Sequence, residues 1–212
     1  IYFIRPNGSL LRITKTRLEL KPILRACGNG SSELMTNISS SVVSMLYNFQ
    51  LLRFAGENGV SAYGVLMYVQ FIFIAIFIGY AVGCAPIIAF NYGAENHREL
   101  SNILKKSLYI LSAMSIILTL SAVALSHPLS AIFVGYDKEL FEMTKHAFSL
   151  FSLSFILVGF NIFTSSFFTS LNNGVISAVV AFFRTLVFQS SSVILLPMFF
   201  DIDGIWWSIT LA

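Results

Sequence analysis

The chain has 212 residues, of which 56% are hydrophobic and only 11% are charged, and its formal net charge is +3. Soluble domains have about a quarter of their residues charged, so this composition excludes an ordinary soluble protein and indicates a polytopic membrane protein surrounded by lipid. Long apolar runs, in place of short alternating strands, predict an all-α bundle of transmembrane helices.

The N-terminal part of the chain joins an apolar stretch, residues 1–4, to a basic segment, residues 5–25, with six Arg or Lys and one Glu. Such a run can bind nucleic acid or anionic lipid, but a cytoplasmic loop is its commoner meaning in a membrane protein. We therefore expect no nucleic-acid partner. Because the sequence begins and stops inside apolar stretches, we expect it to be truncated at both ends, with residues 1–30 holding the end of an earlier span and a cytoplasmic connection.

Apolar runs of membrane-spanning length predict a six-helix bundle over residues 22–212. The predicted spans are residues 22–54, 60–89, 103–126, 140–171, 175–200 and, incomplete, 204–212. Alternating sides bring the loops at residues 5–25, 91–106 and 171–174 together, and the first two hold most of the Lys and Arg outside the spans. The expected location is a cell membrane, crossed several times, with the basic segment in the cytoplasm.

Turn and breaker residues predict where the helices end. Residues 55–60 (AGENGV) and 172–174 (Asn-Asn-Gly) are typical of tight connections between helices. Pro128 is expected to close the third span, with residues 129–135 lying along the membrane interface.

Small and aromatic residues predict two further contacts. Gly79 and Gly83 form a pair with the spacing of a close-packing seam between membrane helices. Trp206 and Trp207 stand where an aromatic belt at the membrane interface is expected.

The most informative stretch is the first full span, because it carries polar residues at membrane depth. Glu33, Asn37, Ser40, Ser44 and Asn48 are spaced by four, three, four and four residues, which puts them on one face of a helix. The opposite face is apolar and consists of Ile38, Val42, Met45, Leu46 and Leu52. Hydrocarbon cannot solvate a carboxylate, so we interpret the stripe as the lining of a transport pathway. Hydrogen bonding of Ser and Asn to adjacent helices is the alternative.

Arg184 is the second charge at membrane depth. Ser177, Arg184 and Ser191 recur every seven residues and are expected to share a face. Glu33 and Arg184 enter the membrane from the same side at similar depth, so we expect an ion pair, direct or through water, that faces the cleft. A lock between helices with no part in transport is the alternative.

Other polar and aromatic residues give weaker signals. Asn161, Ser165, Thr169 and Asn172 form a second stripe, for which hydrogen bonding between helices is favoured, and Asn161 is also a candidate residue of the transport pathway. Tyr63 and Tyr68 are candidates for stacking on flat cationic compounds.

Features of enzymes and of metal or cofactor sites are lacking in the sequence. His97, His127 and His146 are far apart, and Cys27 and Cys84 have no paired spacing. No nucleophile elbow or His-Glu-x-x-His helix is present. We therefore expect no enzyme, no metal site and no cofactor.

Four stretches resemble the second half of multidrug and toxic compound extrusion (MATE) transporters. They are GYAVGCAPIIAFNYGAENHREL (79–100), ENGVSAYGVLMYV (57–69), SSFFTSLNNGVISAVVAFFRTLVFQ (165–189) and LPMFFDIDGIWWS (196–208). The resemblance implies twelve spans in two six-helix lobes, of which this chain is the second, so the first lobe of the same chain is a missing partner.

The resemblance also bears on the cation site. Many members have a key cation-binding Asp in the first lobe, and some also use acids on the seventh and tenth spans. Here the seventh span offers Glu33, whereas the tenth has Asn161 at its middle.

Three functions follow from these observations. The first is export of small amphipathic or cationic compounds by alternating access, coupled to H⁺ or Na⁺, with Glu33 as the acid whose charge changes. The second is export of a lipid-linked or polysaccharide substrate on the same fold. The third is a membrane module without transport activity.

Overall fold

The computed structural model describes residues 19–211, apart from the side chains of residues 25, 29 and 32, and every regular element in this part is a helix. The elements are α1 (Leu20–Gly93), α2 (His97–Val134), α3 (Lys138–Ser152), α4 (Phe155–Ser170), α5 (Gly174–Ala181), a π-helical segment (Phe182–Gln189), α6 (Ser190–Leu195) and α7 (Pro197–Leu211). The predicted all-α fold is confirmed. The predicted span end and basic segment lie outside the described residues, except for residues 19–25.

The long helix α1 is two helices joined at Gly56. A continuous helix of 74 residues would be about 110 Å long, far more than the thickness of a bilayer. Gly56 has φ 60° and ψ −150°, which is open to glycine and closed to most other residues. The break lies inside the turn predicted at residues 55–60, and it divides α1 into a first arm, residues 20–55, and a second arm, residues 57–93.

The centre of the bundle is a seam between the second arm of α1 and α4. Phe73 stacks on Phe155 with ring centroids 5.0 Å apart, and Phe77 is fully buried beside Gly159. A Cβ atom at position 159 would lie 2.4 Å from the Phe77 ring. Glycine is therefore what allows these two helices to approach so closely.

The close-packing seam predicted at Gly79 and Gly83 is absent from the described part of the chain. A Cβ atom at either position would find no atom within 4 Å. Phe77 and Ala81, which alternate with the two glycines, are buried. The glycines therefore lie on the other side of the second arm, away from the packed core.

Helix α2 continues through Pro128 to Val134, so the prediction that the helix ends at Pro128 is wrong, while the interfacial position of residues 129–135 stays a prediction. A proline removes one backbone hydrogen bond and does not have to end a membrane helix. At its start the Asn96 side chain accepts a hydrogen bond from the Glu99 amide at 3.2 Å. The buried face of α2 is rich in small side chains, which allow close packing; it consists of Leu100, Ser107, Leu111, Ser115, Thr119, Ala122, Ser126, Ser130 and Val134.

Helices α3 and α4 together occupy the predicted fourth span, but they are bent by 51°. The Asp137 side chain caps α3 by accepting hydrogen bonds from the amides of Glu139 and Leu140. The hairpin that follows α4 turns at Asn172, which has φ 57°, and the Asn173 side chain caps α5. These asparagines lie in the turn predicted at residues 172–174.

The last helix, α7, is also interrupted. Asp201 has φ 48° and ψ −134°, and the chain changes direction there. Beyond this break Trp206 is completely buried in the core, so its predicted place in an aromatic belt is wrong, while Trp207 is partly buried. Tryptophan is as suited to a packed interior as to an interface, and the sequence pattern does not distinguish the two.

Several described helices suit a membrane. Within residues 19–211, α1, α2 and the helical run Gly174–Leu195 are long and apolar enough to cross one, and α3 with α4 is a fourth if the bent pair counts as one span. Large apolar side chains also cover the outside of the bundle, among them Phe71, Phe90 and Ile132. The surface is therefore one that lipid, and not water, would cover.

Candidate functional site

The first arm of α1 packs on the bundle through a face that the sequence analysis did not identify. This buried face consists of Ser39, Val43, Tyr47, Gln50 and Leu51. Successive residues of a helix are rotated by 100° about its axis, and by this count the buried face lies between the predicted polar stripe and the predicted apolar face. Most of the apolar face is exposed, at Ile38, Val42, Met45 and Leu52. The first arm therefore has three faces, and the polar stripe is about a quarter of a turn from the buried one.

The polar stripe lies on the surface of the bundle, at the edge of the face by which the first arm packs. Glu33, Asn37 and Ser40 are exposed, whereas Ser44 and Asn48 are partly buried. The two amides bond to their own helix: Asn37 Nδ2 donates to the Glu33 carbonyl at 2.9 Å, and Asn48 Nδ2 donates to the Ser44 carbonyl at 2.8 Å. The stripe is thus brought together as predicted, but it faces outward and does not line an enclosed cavity of this bundle.

The direct ion pair between Glu33 and Arg184 is absent. Glu33 is exposed and Arg184 is partly buried, and among the described residues the salt bridges are Glu142–Lys145 and His146–Asp203. The prediction relied on equal depth in the membrane, and equal depth does not make two helices face each other.

The predicted face shared by Ser177, Arg184 and Ser191 is also not formed. Ser177 is fully buried, whereas Ser191 is exposed. The π-helical segment lies between them, and its wider turns, with hydrogen bonds from residue i to i+5, break the seven-residue repeat.

An open groove lies beside the break in α1. It has a volume of about 500 Å³ and is lined by Asn48, Phe49, Leu52, Glu57, Val60 and Ser61. Asn48 belongs to the predicted stripe, so the stripe ends in this groove. Glu57 adds a second acid that the sequence analysis treated only as part of a turn.

The two candidate tyrosines have different environments. Tyr63 is only 6% exposed and stacks on Tyr47 with ring centroids 5.3 Å apart, so it is closed to a large substrate here. Tyr68 is 70% exposed and points away from the bundle. The predicted pair of aromatic contacts is therefore reduced to one accessible ring.

A buried polar network beneath the stripe was missed. The Tyr47 hydroxyl lies 2.7 Å from Ser208 Oγ, and the Gln189 side chain lies close to the same hydroxyl. Tyr63 stacks on Tyr47, and the Ser44 side chain lies close to the Tyr63 hydroxyl, so this network borders the stripe. The Gln50 side-chain oxygen is buried nearby on the first arm and has no hydrogen-bond partner within residues 19–211. The sequence signal was the polar character of Gln50, Gln189 and Ser208 inside apolar runs.

Two members of the second predicted stripe, Ser165 and Thr169, form hydrogen bonds between helices, as favoured. Ser165 Oγ on α4 lies 2.8 Å from Ser177 Oγ on α5, and Thr169 Oγ1 donates to the same hydroxyl at 3.1 Å. Ser166 reaches the Ala81 carbonyl on α1 at 3.4 Å. Asn161 lies on the same side of α4 as Ser165 and is partly buried.

Comparison with known proteins identifies one family and several solved structures with a similar fold. A family model described as MatE matches residues 33–193, well over half of the chain. A crystal structure of MATE in complex with MaL6 has a TM-score of 0.88 and 18% identity, over 96% of this chain and 47% of that one. A multidrug resistance MATE family transporter of the MOP superfamily, in an outward-facing conformation, has a TM-score of 0.87 and 19% identity, over 96% and 46%. The chain thus spans a little under half the length of both. No curated protein sequence matches it.

Proposed function

Because the chain belongs to the MatE family, we propose that it forms the second six-helix lobe of a transporter that exports small amphipathic or cationic compounds. Export is coupled to the entry of H⁺ or Na⁺. The first lobe is the partner that completes the cavity, since the solved chains with the same fold are about twice as long. The location we propose is a cell membrane, with the basic segment at residues 5–25 on the cytoplasmic side.

The observation that carries this proposal is the outward-facing polar stripe on the first arm. An exposed carboxylate and exposed amides are costly against hydrocarbon, whereas they are solvated at a water-filled cleft. We therefore assign the surface of Glu33, Asn37 and Ser40 to the cleft between the two lobes. Ser44 and Asn48 extend the pathway to the groove beside the Gly56 break, where Glu57 lies.

The mechanism we propose is alternating access. Two lobes that rock about a shared cleft expose it to one side of the membrane and then to the other. Binding of H⁺ or Na⁺ at Glu33 cancels the charge of the stripe, and the two states differ in how well they solvate that charge. The cation therefore shifts the balance between inward-open and outward-open states.

The test uses the full-length protein in liposomes, with a fluorescent cationic dye inside and a proton or sodium gradient. We expect Glu33→Gln to lower cation-driven export about tenfold or more, as removal of one charged interaction worth about 1.4 kcal/mol would. Glu95→Gln is the matched control, since Glu95 is an exposed acid in the connection between α1 and α2. Export and coupling that both survive Glu33→Gln contradict the role of Glu33.

Two other outcomes would reassign the function. Movement of a lipid-linked sugar across the liposome membrane, with no export of dye, identifies the protein as an exporter of large amphiphiles. Absence of any movement, in a preparation that is folded and correctly inserted, identifies a membrane module without transport activity.

A further inference from the structure

Arg184 is the residue from which a further inference can be drawn, because its environment leaves its charge uncompensated. It lies in the π-helical segment, ten residues after Gly174 and eleven before Leu195, which are the ends of the helical run that contains it. Arg184 is therefore at the middle of a helical run that is long and apolar enough to cross a membrane.

No ion pair or hydrogen bond is formed by Arg184 within residues 19–211. Glu33 is the described acid placed at membrane depth, and it is not within salt-bridge distance. The other described acids belong to helix ends and connections: Glu19, Glu57, Glu95, Glu99, Asp137, Glu139, Glu142, Asp201 and Asp203.

An uncompensated arginine in this position needs an anion or water. Arg remains protonated in proteins, so the group cannot avoid the cost of burial by losing its proton. A charge at the centre of a membrane is costly, and such residues are typical of substrate and ion pathways. Arg184 is partly buried and not fully enclosed, so part of its side chain is open to a molecule or a protein group from outside the lobe.

The segment that carries Arg184 is held in place. Gln189, at the end of the π-helical segment, lies close to the Tyr47 hydroxyl, which in turn lies 2.7 Å from Ser208 Oγ on α7. Thr185, next to Arg184, is buried. π-Helical turns inside helices are frequent at functional sites, and here the turn presents one charged side chain from an anchored backbone.

We propose that Arg184 binds an oxyanion, a carboxylate or a phosphate, that is carried by the exported compound. This inference rests on the proposed function. The planar guanidinium offers two parallel N–H donors that match a carboxylate or a phosphate, and a charge-assisted bidentate contact is strong. With Glu33 elsewhere on the cleft, the pathway then takes compounds that have both a cationic part and an acidic part.

The test compares two dyes that differ by one charge. A cationic xanthene dye with a free carboxylate is measured beside its methyl ester, with the full-length protein in liposomes for export and in detergent for binding by fluorescence anisotropy. We expect Arg184→Gln to weaken binding and export of the carboxylate dye about tenfold or more, and to change those of the ester less than about twofold. Arg98→Gln, at an exposed position outside the span, is the control and leaves both dyes unchanged.

The other possible results of this comparison also support or overturn the oxyanion site at Arg184. Equal losses of binding for the two dyes, or no loss for either, overturn the proposal. A fall in thermal stability without a change in dye preference also overturns it, because that result would indicate that Arg184 pairs with a carboxylate of the other lobe. If Arg184→Gln does not fold, Arg184→Lys is used, because it keeps the positive charge and lacks the two parallel N–H donors of the guanidinium. A loss of binding that is confined to the carboxylate dye then supports the site. Arg184-dependent binding without export of either dye supports the site and contradicts the transport function.

Discussion

The α4–α5 hairpin and the first arm of α1 use similar polar residues in opposite ways. In the hairpin, the hydroxyls of Ser165, Thr169 and Ser177 bond to one another between two helices. On the first arm, the Asn37 side chain bonds, within residues 19–211, only to the backbone of its own helix, and Ser40 is exposed. The hydroxyls of the hairpin have their hydrogen-bond partners inside the lobe, whereas the polar side chains of the first arm are open to contacts from outside the lobe.

The difference separates a structural polar stripe from a functional candidate. Both stripes have the same helical spacing, so periodicity alone does not distinguish them. What distinguishes them is the partner: a hydroxyl that bonds to another helix stabilises the bundle, whereas an outward-facing amide or acid does little for the stability of the lobe. Substitutions in the hairpin should therefore affect folding, and those in the stripe should affect transport.

The largest effect on stability is expected at the seam that supports the hairpin. Gly159→Ala places a Cβ atom 2.4 Å from the Phe77 ring, so the two helices must move apart. We expect the free energy of unfolding to fall by about 1–3 kcal/mol, measured by SDS titration of the full-length protein in detergent. Gly79→Ala, where the added Cβ meets no described atom within 4 Å, is the matched control. Equal effects at the two positions contradict the packing described for the seam.

A smaller effect is expected inside the hairpin itself. Ser177→Ala removes the hydroxyl shared by Ser165 and Thr169, and hydrogen bonds between membrane helices contribute about 0.6 kcal/mol on average and up to about 1.7 kcal/mol. We expect a loss of about 1 kcal/mol in the same titration. Ser191→Ala, at an exposed position, should change nothing, and a loss there as large as at Ser177 would remove the contrast between inner and outer hydroxyls.

The smallest effect on stability is expected on the stripe. Asn37→Ala should change the free energy of unfolding by less than about 0.5 kcal/mol, because the side chain bonds only to its own helix. Dye export should nevertheless fall about threefold, as the loss of one neutral hydrogen bond would give. Asn91→Ala is the control, since Asn91 is partly exposed and bonds to Ile87 in the same local way. Unchanged export for Asn37→Ala would remove this residue from the pathway.

Turns were the part of the fold most accessible from the sequence. Gly56 and Asn172 both have positive φ, and glycine and asparagine are the residues that adopt such conformations most readily. The choice of these residues therefore predicts the position of the turn directly. Long apolar runs likewise predicted helices, because few other structures satisfy the backbone in a membrane.

The orientation of the helices was much less accessible. In a membrane protein both the packed face and the lipid-facing side are apolar, so the pattern did not show that Tyr47 faces the core while Met45 faces outward. The π-helical segment has no compositional signal, since it differs from an α-helix only in hydrogen-bond register. The Glu33–Arg184 pair therefore could not be tested by counting residues from the helix ends.

The glycine joint in α1 limits how the polar arm can move. The helix is interrupted at one residue, Gly56, and the rings of Tyr47 and Tyr63, which precede and follow it in the chain, are stacked with centroids 5.3 Å apart. The two arms are joined without a flexible loop between them, so a tilt of the first arm, which carries Glu33, displaces the second arm as well. In the rocking motion proposed above, the two arms would therefore move as one helical pair, and the apolar surface of residues 57–93 would move with the arm that carries Glu33.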